Sequence, residues 1–515
     1  MIMHAANRVA KNTGILYAKM GITVFISLYA TRLILSALGA EDFGIFNVVG
    51  GVIAMLGFLN ASMAAASQRF MSYAQGEGDT EKQKNIFSVS VVLHLLIAFI
   101  VLIVFEVAGY FFFQNILKIP EARLPVAKIV YQFMIVSTLF TIISVPYDAL
   151  INSHENMFFY AIVGIIEAVS KLAIAFYITT TRFDKLTIFG LLTAVLSICL
   201  LLIQRVYCHK NYDECEINPR KYFKKSLFKE MTSFGGWSLL FSAASMITMQ
   251  GVSIVLNSFF GVLVNAAQGV SSQISGQLMA FSNTMLKALN PVIVKSAGEN
   301  NRKQMMDASV IGNKLSFFLF TFFSVPAIIE MPYFLHFWLK NVPEYAVIFC
   351  QLNLFRLCIT QLTITFDTTI AALGNIKKYN IVRSSVYVAL LPASYIMYLR
   401  GAPAFAIYVN LIVMILVSMF VNVYYVQKLC GFTIQNFLKN IFLPCVGGTL
   451  FNSIISILPL FFLPPGLPRL ILIVIISSVT FFFSLILIGL TKKEKKMVGS
   501  MLDQRINKIK SKRKV

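Results

Sequence analysis

Residues 86–113 read IFSVSVVLHLLIAFIVLIVFEVAGYFFF, with His94 and Glu106 as the only side chains that ionise near neutral pH. About 20 consecutive apolar residues suffice for a helix to cross the ~30 Å hydrocarbon core of a bilayer. Working outward, comparable stretches recur at roughly 13–38, 43–68, 128–151, 157–180, 187–207, 232–259, 262–290, 311–338, 345–372, 381–400, 403–427, 437–463 and 468–491. These fourteen segments predict an all-α polytopic membrane protein. The 515-residue chain is 57% hydrophobic and only 13% charged, which suits a protein whose solvent is lipid. The longest interior loop, about 208–229, is too short for a folded extramembrane domain, so a separate catalytic module is not expected.

A net charge of +22 raises nucleic acid as a partner, but the placement of the charge argues for a membrane. With the N-terminus in the cytoplasm, only Lys118, Arg123, Lys128, Arg182, Lys185, Lys340, Arg400 and Arg469 of the 44 Lys and Arg fall in outer loops or span ends. That positive-inside bias predicts both termini in the cytoplasm. The basic runs Arg220–Lys225 and Lys508–Lys514 would then face anionic headgroups. The seven cysteines are scattered; Cys208 and Cys215, near His209, fit no common zinc spacing. No metal or cofactor is expected. The first span is too long for a secretory signal and lacks a small-residue cleavage site, so it is expected to remain in place.

Sliding the chain against itself by 222 residues places Gly14 on Gly236, Gly39 on Gly261, Gly76 on Gly298 and Glu77 on Glu299. Each copy opens a span with glycine, follows it with a glycine turn, and ends the next span in a Gly-Glu loop. An offset of six spans keeps both copies in one orientation, the parallel-repeat plan of transporters. The expected divisions are a six-helix bundle over 1–211, a cytoplasmic linker 212–231, a second six-helix bundle 232–428, two extra helices over 429–491, and a basic cytoplasmic tail 492–515.

Polar side chains inside a span mark a packed interior face or a wet cavity. In span eight Gln268, Ser272, Ser275 and Ser282 fall at i, i+4, i+7 and i+14, close to one line on a helix, and amides with hydroxyls favour a wet face. Ser238, Ser242 and Ser245 form a similar stripe in span seven. The seam Gly50, Ala54, Gly57 and Ala61 in span two suits close packing and cavity lining alike. Charges deep in a span cost about 2.5–3.5 kcal/mol each on insertion scales. Lys19 and Arg32 could snorkel or face a cavity. Glu167 and Lys171 are spaced to pair at i, i+4. Arg356 and Asp367 lie eleven residues apart, near one line on an uninterrupted helix, and Arg356 has no acidic residue in its next turn; it is the leading candidate for an anion ligand. Asp367, Glu106 and Asp148 are candidates to carry a coupling proton. His94 and His336 read as packed or interfacial. Helix-breaking Pro146, Pro291, Pro326, Pro392 and Pro444 are tolerated in membrane helices and decide nothing alone. No G-x-x-x-x-G-K-[ST], H-E-x-x-H or G-x-S-x-G motif is present, so the chain is not expected to be an enzyme.

The segment TRLILSALGAEDFGIF (31–46), Asn12, Ser67-Gln68-Arg69-Phe70, Phe234-Gly235-Gly236-Trp237 and Asn290-Pro291 together resemble the polysaccharide-transporter flippases, the Wzx-type branch of the MATE-like (MOP) superfamily. The resemblance implies two parallel six-helix bundles forming a V around a central cavity, plus two extra C-terminal helices. It implies alternating access in the bacterial inner membrane, with undecaprenyl-diphosphate-linked oligosaccharide as cargo for lipopolysaccharide, capsule or exopolysaccharide. Membrane lipids, a glycan polymerase and glycosyltransferases are the implied partners, and nucleic acid is not. Cationic cavity residues of the family would correspond to Arg32 and Arg356, with Lys19 and Arg69, and Gln268, Ser272 and Ser275 would meet sugar hydroxyls. Span one carries no Asp, unlike the cation-coupled drug exporters, which leaves coupling through that span in doubt. The rival readings are a MATE-type cation-coupled drug exporter, which would prefer an aromatic, acidic cavity, and a membrane glycan polymerase or glycosyltransferase, which would need a sizeable outer loop.

Overall fold

Lipid offers backbone amides no hydrogen-bond partner, so a chain this apolar must satisfy them within helices. The computed structural model describes residues 2–54, 57–116, 119–339, 341–374, 376–491 and 494–495, and contains no strand among them. The helices are α1 (Ile2–Ala54), α2 (Gly57–Glu77), α3 (Thr80–Phe111), α4 (Leu124–Ser153), α5 (Met157–Thr180), α6 (Lys185–Asn211), α7 (Pro219–Tyr222), α8 (Lys225–Gly298) and α9 (Arg302–Ile329). They continue as α10 (Met331–Leu339), α11 (Ala346–Gln361), α12 (Ile364–Ala372), α13 (Lys377–Leu399), α14 (Ala406–Cys430), α15 (Ile434–Phe437), α16 (Leu443–Ile457), α17 (Pro459–Phe462) and α18 (Leu467–Ser484).

Among the described residues, 12 helical segments are long and apolar enough to cross a membrane. The other two expected spans are also helical. Span two is described in two pieces, 43–54 and 57–68, and span eight carries Asn265, Gln268, Ser271, Ser272, Gln273, Ser275 and Gln277 along its length. The run Lys508–Lys514, Lys118 and Lys340 lie outside the described residues, as does all of the tail but Glu494 and Lys495.

The two copies of the repeat carry the same backbone device at matching positions. α1 kinks at Gly39 (φ 77°, ψ 172°) and α8 kinks at Gly261 (φ 77°, ψ −172°). Only glycine occupies that region without steric cost, so one residue turns the chain between spans one and two, and another between spans seven and eight.

Contact density divides the chain into two compact units. One comprises Lys11–Ser242 with Val294–Asn300; the other comprises Met1–Ala10, Ala243–Ile293 and Asn301–Val515. In the first, α4 packs against α2, α3 and α6 around Phe105, Ile135, Ile142 and Leu186. One of its ends contains a second sign of the repeat. A methyl group added at Gly76 would stand 2.1 Å from the Lys295 carbonyl oxygen, and one at Gly298 would stand 2.1 Å from that of Tyr73. Tyr73 and Lys295 are themselves 222 positions apart, so the helix ends cross with near-two-fold symmetry at a distance only glycine permits.

In the second unit α9 packs against α11, α12, α16 and α18. Two buried ion pairs fix α18 and the segment after it to α9. Arg469 forms a two-bond contact with Glu330, which follows α9 directly (2.5 and 3.0 Å). Lys314 of α9 meets Glu494 at 2.6 Å. The side chains of Glu330 and Lys314 are 0% and 3% exposed. The last span is therefore held at both ends by charges that have left water.

Two outcomes follow. Gly76→Ala and Gly298→Ala should each destabilise the detergent-purified protein by about 1–3 kcal/mol, the usual cost of overpacking, lowering its thermal midpoint, whereas Gly236→Ala, inside α8 with nothing within 4 Å, should not lower it. Arg469→Ala should cost about 3–5 kcal/mol by stranding the buried Glu330 carboxylate, and the double variant Arg469→Met/Glu330→Met should recover most of that loss; thermal unfolding of the three proteins checks it.

Candidate anion-binding site in the second unit

Span ten is not one helix. α11 ends at Gln361, Thr363 takes φ −133° and ψ 16°, and α12 begins at Ile364. Arg356 sits on α11, ten residues from its start, or ~15 Å at 1.5 Å per residue, close to the middle of the 27-residue apolar segment Ala346–Ala372.

The half-buried Arg356 guanidinium is held by an amide. Its Nε and Nη2 both donate to Asn353 Oδ1, at 2.9 and 2.8 Å. Asn353 Nδ2 in turn donates to Ser271 Oγ (3.1 Å) and Ser275 Oγ (2.9 Å) of α8. Both hydroxyls then donate to backbone carbonyls, Ser271 to Phe349 (3.1 Å) and Ser275 to Ser271 (2.7 Å). Since those hydroxyl protons are committed, the serines must accept from the amide. Turning the amide over would set its NH2 against the guanidinium donors, so the network fixes the orientation of Asn353. Among the described residues no carboxylate forms an ion pair with Arg356, and the ionisable groups acting on it are Tyr387 and Tyr408.

The structure thus joins two sequence-predicted residues, Arg356 and Ser275, through Asn353, which periodicity did not single out. The buried line on α8 runs through Gln268, Ser271, Ser275 and Ser282, while Ser272 is exposed. Gln268 is 5% exposed and its Oε1 has no hydrogen-bond partner among the described residues.

Asp367 is not grouped with Arg356. The break at Leu362–Thr363 invalidates the eleven-residue helical reckoning. Asp367 pairs instead with Arg383 of α13 (2.9 Å) and accepts from Tyr379 Oη (2.5 Å). Asn422 joins the same cluster, its Oδ1 lying 2.7 Å from Tyr379 Oη, and its Nδ2 donates to Thr363 Oγ1 at 3.2 Å.

The remaining candidates lie in the first unit. Lys19 Nζ sits 4.3 Å from the centre of the Tyr160 ring, a cation–π contact made possible by the missing side chain of Gly164. Arg32 is exposed. Arg69 is packed on Phe70, Tyr73 and Phe234, with ring centres 4.5, 4.9 and 5.4 Å away, and feels the charges of Glu230 and Glu77. Glu106 is exposed and accepts from Gln132 (3.3 Å), while Asp148 accepts from Gln204 (3.0 Å). Glu167 and Lys171 pair at 2.6 Å. In span seven Ser242 Oγ accepts from Ser62 of span two at 2.9 Å. His94 is buried against the Ser90 carbonyl, and His336 is exposed. Among the described residues no group of three His, Cys, Asp or Glu is placed to hold a metal ion. Burial, with the Glu214 carboxylate beside it, pushes the Cys215 thiol up to about 12, so it stays protonated at neutral pH.

The Asp367 cluster predicts a stability contrast. Asp367→Asn removes the carboxylate that pairs with Arg383; the two side chains are 38% and 8% exposed, so the loss should be about 1.5–3 kcal/mol, the scale of a hydrogen bond to a charged group. Glu106→Gln alters only an exposed carboxylate. Thermal unfolding should show a large loss for the first and little change for the second.

Comparison with known proteins adds relatives in sequence and in fold. Residues 9–297 match the family model described as "Polysaccharide biosynthesis protein", a stretch that takes in all but the last residue of α8 and ends before Arg356. The chain is 29% identical over 120 residues to the uncharacterized membrane protein EpsK of Bacillus subtilis (strain 168), a match covering 23% of each chain. Among solved structures it resembles a multidrug resistance MATE family transporter of the MOP superfamily in an outward-facing conformation (TM-score 0.70, 13% identity, 82% of this chain and 95% of that one). It also resembles a MATE protein in a bent conformation (TM-score 0.72, 13% identity, 84% and 98%). A third likeness is a MOP superfamily transporter from Pyrococcus furiosus Vc1 (DSM3638), whose reversed binding-pocket polarity suggests a different function for that protein (TM-score 0.69, 14% identity, 82% and 96%). With its many apolar helices in the MATE arrangement, the chain is a multi-pass membrane protein that belongs to the polysaccharide biosynthesis protein family.

Proposed function

We propose that the protein is a membrane transporter that flips undecaprenyl-diphosphate-linked oligosaccharide across the bacterial inner membrane by alternating access, with both termini in the cytoplasm. The observation that carries this reading is the environment of Arg356. A guanidinium near the middle of an apolar segment that leans on a neutral amide keeps its whole positive charge. Such a charge is costly in hydrocarbon and is offset when an anion arrives. A lipid-linked sugar diphosphate has the complementary problem, because its phosphates cannot enter lipid bare. Arg–phosphate contacts are among the stronger hydrogen-bonded pairs, so each partner relieves the other.

The family supports a role in polysaccharide assembly and the fold supports transport. A cation exporter would gain nothing from an unneutralised arginine. In this reading Gln268 and Ser272 meet sugar hydroxyls while Ser275 holds Asn353, and Lys19, Arg32 and Arg69 serve the path in the first unit. Asp367, set among Arg383, Tyr379 and Asn422, is the carboxylate best placed for coupling, ahead of Glu106 and Asp148. A glycan polymerase and glycosyltransferases are the partners this role calls for.

Deleting the gene should abolish surface glycan and trap undecaprenyl-linked repeat units on the cytoplasmic leaflet, as read by lipid extraction and leaflet-selective labelling. Complementation with Arg356→Ala should restore less than a tenth of the wild-type surface glycan at equal protein abundance, and Arg356→Lys an intermediate amount. Full complementation by Arg356→Ala would refute the proposal.

A further inference from the structure

We infer that Asn353 is the positioning residue of the anion site, and that it fixes Arg356 to grip a single phosphate through the outer edge of its guanidinium. The inference rests on the reading of Arg356 as an anion ligand and extends it.

Arginine has five N–H donors. Asn353 Oδ1 takes the Nε–H and one Nη2–H, leaving both Nη1 protons and one on Nη2. The side-on edge, Nε with Nη2, is therefore occupied. The end-on edge, Nη1 with Nη2, remains, and two parallel N–H bonds from such an edge match two oxygens of one phosphate. The amide cannot swing aside, because Ser271 and Ser275 hold its NH2 and are themselves tied to carbonyls. This arrangement orients the cation before the ligand arrives, which lowers the ordering cost of binding.

The choice of an amide matters as much as its position. Aspartate would have nearly the same shape and would accept the same two bonds, but it would cancel the charge. Asparagine supplies the geometry and leaves the charge for the ligand. Asn353 and Arg356 together leave one free guanidinium edge, which matches the oxygens of one phosphate.

The test is titration of the detergent-purified full chain with inorganic pyrophosphate and with inorganic phosphate by calorimetry, alongside thermal unfolding. Wild-type protein should bind the two anions within about threefold of each other. Arg356→Ala should weaken pyrophosphate binding tenfold or more. Asn353→Asp should weaken it at least as much, because the introduced carboxylate cancels the charge of Arg356, even though the new ion pair offsets part of the stability lost with the amide's donations to Ser271 and Ser275; Asn353→Ala should weaken it by three- to fivefold. A merely structural asparagine would instead lose binding only as the thermal midpoint falls, with the variant of lower midpoint binding more weakly, which overturns the inference. If Arg356→Ala loses binding but Asn353→Asp keeps it, positioning by Asn353 is refuted while the anion site stands. If Arg356→Ala binds as tightly as wild type, the anion reading itself fails. Should Asn353→Asp not fold, Ser271→Ala/Ser275→Ala frees the amide without adding charge, and undiminished affinity in that variant overturns the inference.

Discussion

A charge carried into hydrocarbon must be matched, and in the second unit the manner of matching separates scaffold from site. Lys314 holds Glu494, Arg469 holds Glu330 and Arg383 holds Asp367. Each is a cation with a carboxylate, and each ties one helix or its flanking segment to another. Arg356 holds Asn353. The same insertion cost applies to these four side chains, but three are neutralised by carboxylates and Arg356 pairs with none among the described residues. Buried ion pairs contribute little net stability and are retained where they fix register, which suits their places at the two ends of the last span and between α12 and α13. An uncancelled charge fixes no register, and its cost is offset only by something the protein binds.

The repeat gives that site its frame. The Gly39 and Gly261 kinks share one unusual backbone geometry, and Gly76 and Gly298 meet carbonyls that are themselves repeat-related. These positions need glycine for steric reasons that do not depend on the surrounding sequence, so they survive in register where apolar residues interchange freely. The line of hydroxyls on α8 and the arginine on α11 belong to spans that run in the same direction, as the successive contacts Ser271–Phe349 and Ser275–Asn353 record.

Much of this was legible in the sequence, for identifiable reasons. Apolar length marked the spans, and the 222-residue offset exposed the four glycines. The isolation of Arg356 from acidic neighbours in its own helix agrees with its forming no ion pair among the described residues. Three things were hidden. Asn353 lies one turn before Arg356, where an amide is as ordinary as any helical polar residue, and only the α8 hydroxyls reveal its role. Ser271 displaced Ser272 because neighbouring residues differ by 100° and the burial line falls between period-based alternatives. The Asp367–Arg383 pair was invisible because a helix break at Leu362–Thr363, with no proline or glycine to announce it, redirected Asp367 towards α13.

The central claim is that Arg356 keeps its charge for a phosphate of the cargo. Structure determination with a polyprenyl diphosphate bound tests it most directly. The account predicts phosphate oxygens within hydrogen-bond distance of Arg356 Nη1 and Nη2, with Asn353 still on Nε. A bound diphosphate remote from Arg356, with the guanidinium turned onto a carboxylate of the protein, would contradict it.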